Sequence, residues 1–175
     1  ASRGLGDVYK RQILSLSVSA QKPTKAEKAA QLEQEFQQTR QLIESNHFQF
    51  ELNRVYPQDG QDLSRFNPRG KFVITDSVAK GTLPFFGRAY SLPYGEGGGI
   101  EFDGVMKDQS LKIEHKKKRK ILIYRFSITA KNDTYQISME ISGGGNCSVN
   151  LNSNNRAQIS YSGTVSPVKD ETGKS

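Results

Sequence analysis

The sequence has 175 residues and a formal net charge of +7, with one cysteine, two histidines and no tryptophan. This length is sufficient for one domain with a substantial apolar core, and a single cysteine excludes an internal disulfide framework. Transition-metal sites usually draw on cysteine and histidine, so the scarcity of both leads us to expect no metal site, and no motif indicates a cofactor.

Residues 1–20 are predicted to lie outside the folded domain. Residues 1–12 show no apolar periodicity and resemble a translated adapter sequence, although their basic end would also suit the start of a secretory signal. The apolar run 13–18 leads into small residues at 18–20, which predicts the remaining end of a truncated signal peptide with cleavage before Gln21; the alternative is a short buried strand or the start of a helix. The run is shorter than the roughly 20 apolar residues that span a bilayer. We therefore expect a periplasmic or secreted protein without a transmembrane segment.

The remaining chain is predicted to form a single β-rich domain over residues 21–167, followed by a disordered tail at 168–175. Loss of residues 1–20 lowers the formal charge from +7 to +5. Five basic residues form one run at 116–120, and the rest of the domain is near neutral, so we expect no nucleic-acid partner. The run is interpreted as a charged hairpin end, with contact to an anionic envelope surface as the alternative.

Residues 24–45 are predicted to form a helix. Its apolar stripe recurs at helical spacing: Ala29, Leu32, Phe36 and Ile43. Thr24 and Glu27 have the spacing of a capping box. A helix with so narrow a stripe is marginal by itself, so the stripe is expected to cover an apolar surface.

From residue 48 onward the apolar period changes to two, which indicates half-buried strands. Strands are predicted at 48–52, 72–74, 100–102, 111–113, 122–130, 135–141, 147–151 and 159–165. Short turn-rich links join the last four strands and require antiparallel neighbours, because parallel pairs need a long crossover. The predicted fold is mainly β (α+β): an N-terminal helix packed on a curved antiparallel sheet or half-barrel of about eight strands, ending in a four-strand meander. Whether the sheet closes stays open.

The connection at residues 83–94 is unusually rich in aromatic residues and proline. In one interpretation, Phe85 and Phe86 plug an end of the sheet. In the other, the connection is a recognition loop for a glycan, a peptide or an envelope protein. Its predicted binding residues are Phe86, Arg88, Tyr90 and Tyr94, with Arg156 from a nearby hairpin turn. The glycines that follow lead into a strand pattern, so they do not form a phosphate-binding loop.

No residue is predicted to be catalytic. Strand parity places Cys147 on an apolar face, where a free cysteine usually behaves as a small hydrophobe. We favour a binding module, as a monomer or weak oligomer, over catalysis. Two alternatives stay open: a small envelope hydrolase using Asp103 or Glu101 near Arg88, and a purely structural envelope subunit.

Two long motifs carry a family resemblance. The first is LPFFGRAYS at 83–91 with PY at 93–94 and GGIEF at 98–102; the second is NSNNR at 152–156 with ISYSG at 159–163. With these motifs the chain resembles the bacterial family called domain of unknown function 4251. The resemblance implies secreted proteins of Gram-negative bacteria with no assigned activity, and it supplies no catalytic residues.

Overall fold

The computed structural model describes residues 24–90, 98–116, 119–130 and 133–169. The predicted signal segment, Tyr94 and the end of the predicted tail lie outside these ranges. The elements in chain order are α1 (Lys25–Glu44), β1 (His47–Pro57), a 3₁₀ turn (Ser64–Phe66), β2 (Lys71–Thr75), β3 (Val78–Leu83), β4 (Ile100–Lys116), β5 (Arg119–Ala130), β6 (Asp133–Ser142), β7 (Asn146–Ser153) and β8 (Ile159–Pro167).

The eight strands form a closed antiparallel barrel in which each strand pairs with the next along the chain and β8 pairs with β1. This confirms the mainly β, antiparallel prediction and the meander of the last four strands. It also answers the question of closure that periodicity left open. The basic run lies at the β4–β5 hairpin, where Lys116 pairs with Arg119, as the sequence predicted.

Two of the predicted strands were wrong in detail. The strands expected at 100–102 and 111–113 are parts of the single strand β4, which carries a register shift between Lys107 and Ser110. A β-bulge adds one residue to the strand, so the inward-facing side chains change from even-numbered to odd-numbered positions beyond it. The apolar pattern of β4 therefore resembles that of two separate strands. Strand β3 was not predicted, because Gly81 occupies an inward position where an apolar side chain would have marked the strand.

Aromatic side chains fill the interior of the barrel. The rings of Phe50 and Phe72 stack with centroids 5.0 Å apart, and Phe102 lies 5.8 Å from Phe72. Gly81 and Gly163 make this packing possible: a Cβ on Gly81 would collide with Phe72, and one on Gly163 would lie 2.8 Å from the Phe50 ring. The interior at this level is therefore a packed core, as expected for eight strands.

The two ends of the barrel are covered by different parts of the chain. Because neighbouring strands are antiparallel, the start of β1, the β2–β3 turn and the β6–β7 turn share the end next to α1, here called the helix end. The Asn46 carbonyl accepts a hydrogen bond from the Asp76 N–H there, at 2.8 Å. The opposite end, here called the loop end, carries the segment that leaves β3 and the link between β7 and β8.

Helix α1 begins with the predicted capping box of Thr24 and Glu27 and covers the helix end. Phe36 and Ile43 are buried, but the predicted contacts of Ala29 and Leu32 were wrong, since Ala29 is exposed and Leu32 has 62% of its surface accessible. Residues 24–34 are all exposed, so only the second half of the helix packs on the barrel. Among the described residues, no helix has both the length and the apolar character needed to cross a bilayer.

Candidate functional site

The aromatic segment 84–90 crosses the loop end and is attached to the β7–β8 link. Ala89 forms an isolated antiparallel bridge with Arg156. The Tyr90 N–H donates to the Asn155 carbonyl at 2.7 Å, and the Ala157 N–H donates to the Arg88 carbonyl at 2.9 Å. The structure thus brings together the segment and Arg156, which the sequence had placed near one another.

The first part of the segment covers the barrel interior. Phe85 and Phe86 are half-buried and pack against the core cluster. The Tyr161 hydroxyl donates to the Pro84 carbonyl at 2.9 Å, and burial raises the pKa of Tyr161, so that this hydroxyl stays protonated as a donor. For Phe85 and Phe86, the structure agrees with the interpretation as a plug.

The second part of the segment faces solvent. Arg88 is exposed, and Tyr90 has 67% of its surface accessible although its backbone is hydrogen-bonded. Tyr94 lies outside the described residues. The two interpretations of this connection therefore apply to neighbouring parts of it: the phenylalanines are inside and Arg88 and Tyr90 are outside.

Arg156 is buried, with only 5% of its surface exposed, whereas the sequence suggested a side chain projecting from a turn. Its guanidinium carbon lies 5.2 Å from the centroid of the Phe85 ring, a cation–π contact. In the part of the chain that the structure describes, neither Nε nor Nη1 of Arg156 has a hydrogen-bond partner. A buried cation with two unsatisfied donors is unusual and requires an explanation.

A second concave feature, here called the outer groove, lies on the outside of the barrel across β1 to β5. It encloses about 990 Å³, and its charged lining balances, with Arg69, Lys71 and Lys80 against Glu51, Glu101 and Asp103. The Lys80 ammonium lies 2.7 Å from the Asp103 carboxylate. Glu101 and Asp103 were predicted from the sequence as candidate carboxylates, but the groove was not predicted, because its residues come from five separate strands. Arg88 does not line it.

The other candidate reactive groups occupy ordinary structural positions. Cys147 is buried, and burial together with the nearby Glu140 raises the pKa of its thiol, which favours the protonated packing form over a nucleophilic thiolate. Glu140 itself pairs with Lys116 at 2.7 Å. Within the described ranges, no three His, Cys, Asp or Glu side chains are grouped to hold a metal ion.

Comparison with known proteins agrees with this architecture. No curated protein matches the chain. The crystal structure of a DUF4251 family protein from Bacteroides eggerthii is similar over 79% of this chain and 91% of that chain, with a TM-score of 0.56 and 22% identity, a likeness of fold alone. The family model described as "Domain of unknown function (DUF4251)" matches residues 30–165. Since this match includes α1 from its second turn and nearly all of the barrel, the chain belongs to the DUF4251 family.

Proposed function

We propose that this protein is an exported binding module that contacts a glycan, a peptide or an envelope protein through its loop end. The contact surface, here called the loop-end surface, consists of the exposed Arg88 and Tyr90, and backbone hydrogen bonds to the link 155–157 anchor it. The observation that carries the proposal is Tyr90, which stays 67% exposed while its backbone N–H is fixed to Asn155. An exposed tyrosine on an anchored backbone loses little conformational freedom on binding.

The residue types at this surface also suit recognition. Tyrosine and arginine are enriched at the centres of protein interfaces and contribute a large share of binding energy there. The half-buried Phe85 and Phe86 beneath them support the segment from the core side. The surface therefore combines a backbone fixed by hydrogen bonds with exposed contact groups.

Export to the periplasm or the exterior is part of the same proposal. Its support is the apolar run 13–18 followed by small residues at 18–20, the pattern of a secretory signal and its cleavage site. In cells that express the protein from its complete gene, osmotic-shock fractionation with an antibody against the barrel should detect it outside the cytoplasm. Recovery in the cytoplasmic fraction alone would contradict export.

The binding surface can be tested with a thermal-shift screen of glycans, peptides and metabolites, because a bound ligand raises the unfolding midpoint. For a ligand found in this way, Arg88→Ala combined with Tyr90→Ala should weaken affinity by about 30-fold or more, as expected for one hot-spot residue or two moderate ones. Arg65→Ala with Phe66→Ala is the matched control, since these residues form an exposed cation–π pair outside the segment. Unchanged affinity in the folded Arg88/Tyr90 variant would reject the surface.

The second candidate is a carboxylate-dependent hydrolase working in the outer groove. Glu101 and Asp103 both line the groove and lie two residues apart on β4. Outward positions at this spacing are separated by roughly 7 Å along a strand, within the range seen between the two carboxyl groups of inverting glycosidases. If this candidate is right, the wild type hydrolyses a glycan from a panel and Glu101→Gln abolishes the activity. Absence of hydrolysis across the panel by the wild type counts against it.

A purely structural envelope subunit has less support. Such a subunit would be expected to offer an unpaired sheet edge or a large apolar patch to its neighbours. The barrel is closed, so both β1 and β8 have partners on each side. Closure therefore favours recognition through a surface over assembly through strand edges.

A further inference from the structure

The guanidinium of Arg156 is buried, so it is not among the exposed groups through which the loop-end surface is proposed to bind. Arg156 directly follows Asn155, whose carbonyl accepts the hydrogen bond from Tyr90, so the backbone of Arg156 lies in the link that anchors the loop-end surface. Its side chain is 95% buried, with Nε and Nη1 unpartnered within the described part of the chain. The charge cannot be removed by deprotonation, because an arginine keeps its proton at any physiological pH.

Among the described residues, the surroundings compensate this charge only in part. The Phe85 ring offers a cation–π contact at 5.2 Å, and the Tyr161 hydroxyl, which lies nearby, is committed as a donor to the Pro84 carbonyl. A cation–π contact is weaker than a charge-assisted hydrogen bond to an anion. Buried charges are normally paired, so Arg156 gains more from an anionic oxygen than from the ring.

We propose that Arg156 is the receptor for an anionic group of the ligand, a carboxylate or a phosphate, and that Phe85 covers the guanidinium until that group displaces its ring. This inference rests on the proposed function and names the charge class of the ligand. Phe85 is only half-buried, so the ring can move outward without breaking the barrel core. The exposed Arg88, adjacent across the bridge at Ala89, adds a second positive charge at the entrance.

The test compares the unfolding midpoint of wild type and Arg156→Met in sodium phosphate, sodium acetate and sodium chloride at equal ionic strength. In the wild type, phosphate or acetate at about 100 times its dissociation constant should raise the midpoint by about 5–10 °C over chloride. A rise with acetate alone identifies a carboxylate, and a rise with phosphate alone identifies a phosphate. Arg156→Met should abolish the rise, and Arg125→Met, an exposed arginine on β5, should retain it.

The stability of Arg156→Met in chloride gives a second readout. Replacing an unpaired buried charge with an apolar side chain of similar length should leave the midpoint within about 4 °C of wild type or raise it. A larger fall would show that Arg156 is already satisfied in a structural network and would overturn the proposal. So would the absence of any anion effect in the wild type, or an equal effect in Arg156→Met.

Phe85→Ala tests the covering role of the ring. Without the ring, anions need not displace a cation–π contact, and their affinity should increase by about 2- to 30-fold. Unchanged or weaker anion affinity in a folded Phe85→Ala protein would refute the covering role. If these anion experiments fail, the Arg88/Tyr90 double variant still tests the loop-end surface. If that double variant binds its ligand with unchanged affinity, anion binding at Arg156 still stands. The two proposals can therefore be tested separately.

Discussion

The helix end and the loop end of the barrel are both covered, but by different kinds of contact. At the helix end, Phe36 and Ile43 are fully packed, and the hydroxyl of the buried Tyr124 has two polar neighbours at 3.0 Å, Asn46 and Gln109. At the loop end, Phe85 is only half-buried and shields an arginine with unsatisfied donors.

This difference indicates where the protein can gain from a ligand. A packed end with satisfied polar groups is already near its lowest free energy, and its role is to stabilise the fold. An end that buries a cation whose Nε and Nη1 have no partner among the described residues holds an unfavourable contribution that a partner with the opposite charge would remove. This contrast supports the proposal that the loop end binds a ligand, whereas the helix end stabilises the fold.

The largest expected effect is the difference in the free energy of unfolding that is lost when the phenylalanine covering each end is replaced by alanine. Phe36→Ala should lower the free energy of unfolding by about 3–5 kcal/mol, because the side chain is fully buried and leaves a cavity. Phe85→Ala should cost about 1–2 kcal/mol, since its ring is half-exposed and its contact with Arg156 is weak. Urea unfolding measures both. Leu32→Ala, at an exposed position of α1, is the control and should cost less than about 0.5 kcal/mol. Equal losses for the two phenylalanines would remove the distinction between the ends.

A smaller expected effect is the pH dependence of the stability that the helix end contributes. Burial raises the pKa of Tyr124 from 10.0 to about 12. The unfolded chain therefore loses this proton before the folded protein does, and the stability that Tyr124 contributes is present below pH 10 and is lost as the pH rises towards 12. The loss is at most about 3 kcal/mol.

Urea unfolding of wild type and Tyr124→Phe between pH 9 and 12 checks this expectation. The variant lacks the titrating hydroxyl, so its stability should fall less steeply above pH 10. The buried Cys147 also has a raised pKa and weakens both proteins alike at high pH, so the difference between them isolates Tyr124. Parallel curves would show that the Tyr124 hydroxyl is open to solvent.

The candidate site could be predicted only in part. Its aromatic segment was found from composition, because apolar residues in a strand connection stand out in a sequence. The separation into buried Phe85 and exposed Tyr90 could not be found in this way, since neighbouring aromatic residues in an irregular segment have no period that assigns them to a face. The burial of Arg156 was missed for a similar reason: a turn position normally indicates exposure, and only the overlying segment covers it.

The sequence by itself determined the elements whose signals are local. Helix α1 and its capping box, the alternation of the last four strands and their short turns all depend on residues within a few positions of one another. The tertiary structure decided that β4 continues as one strand across its bulge, that β1 pairs with β8, and that five strands build the outer groove. Closure joins Phe50 to Val165, more than a hundred residues apart, and no local pattern specifies that pairing. It is decided by the free energy gained when the apolar side chains of all the strands share one interior.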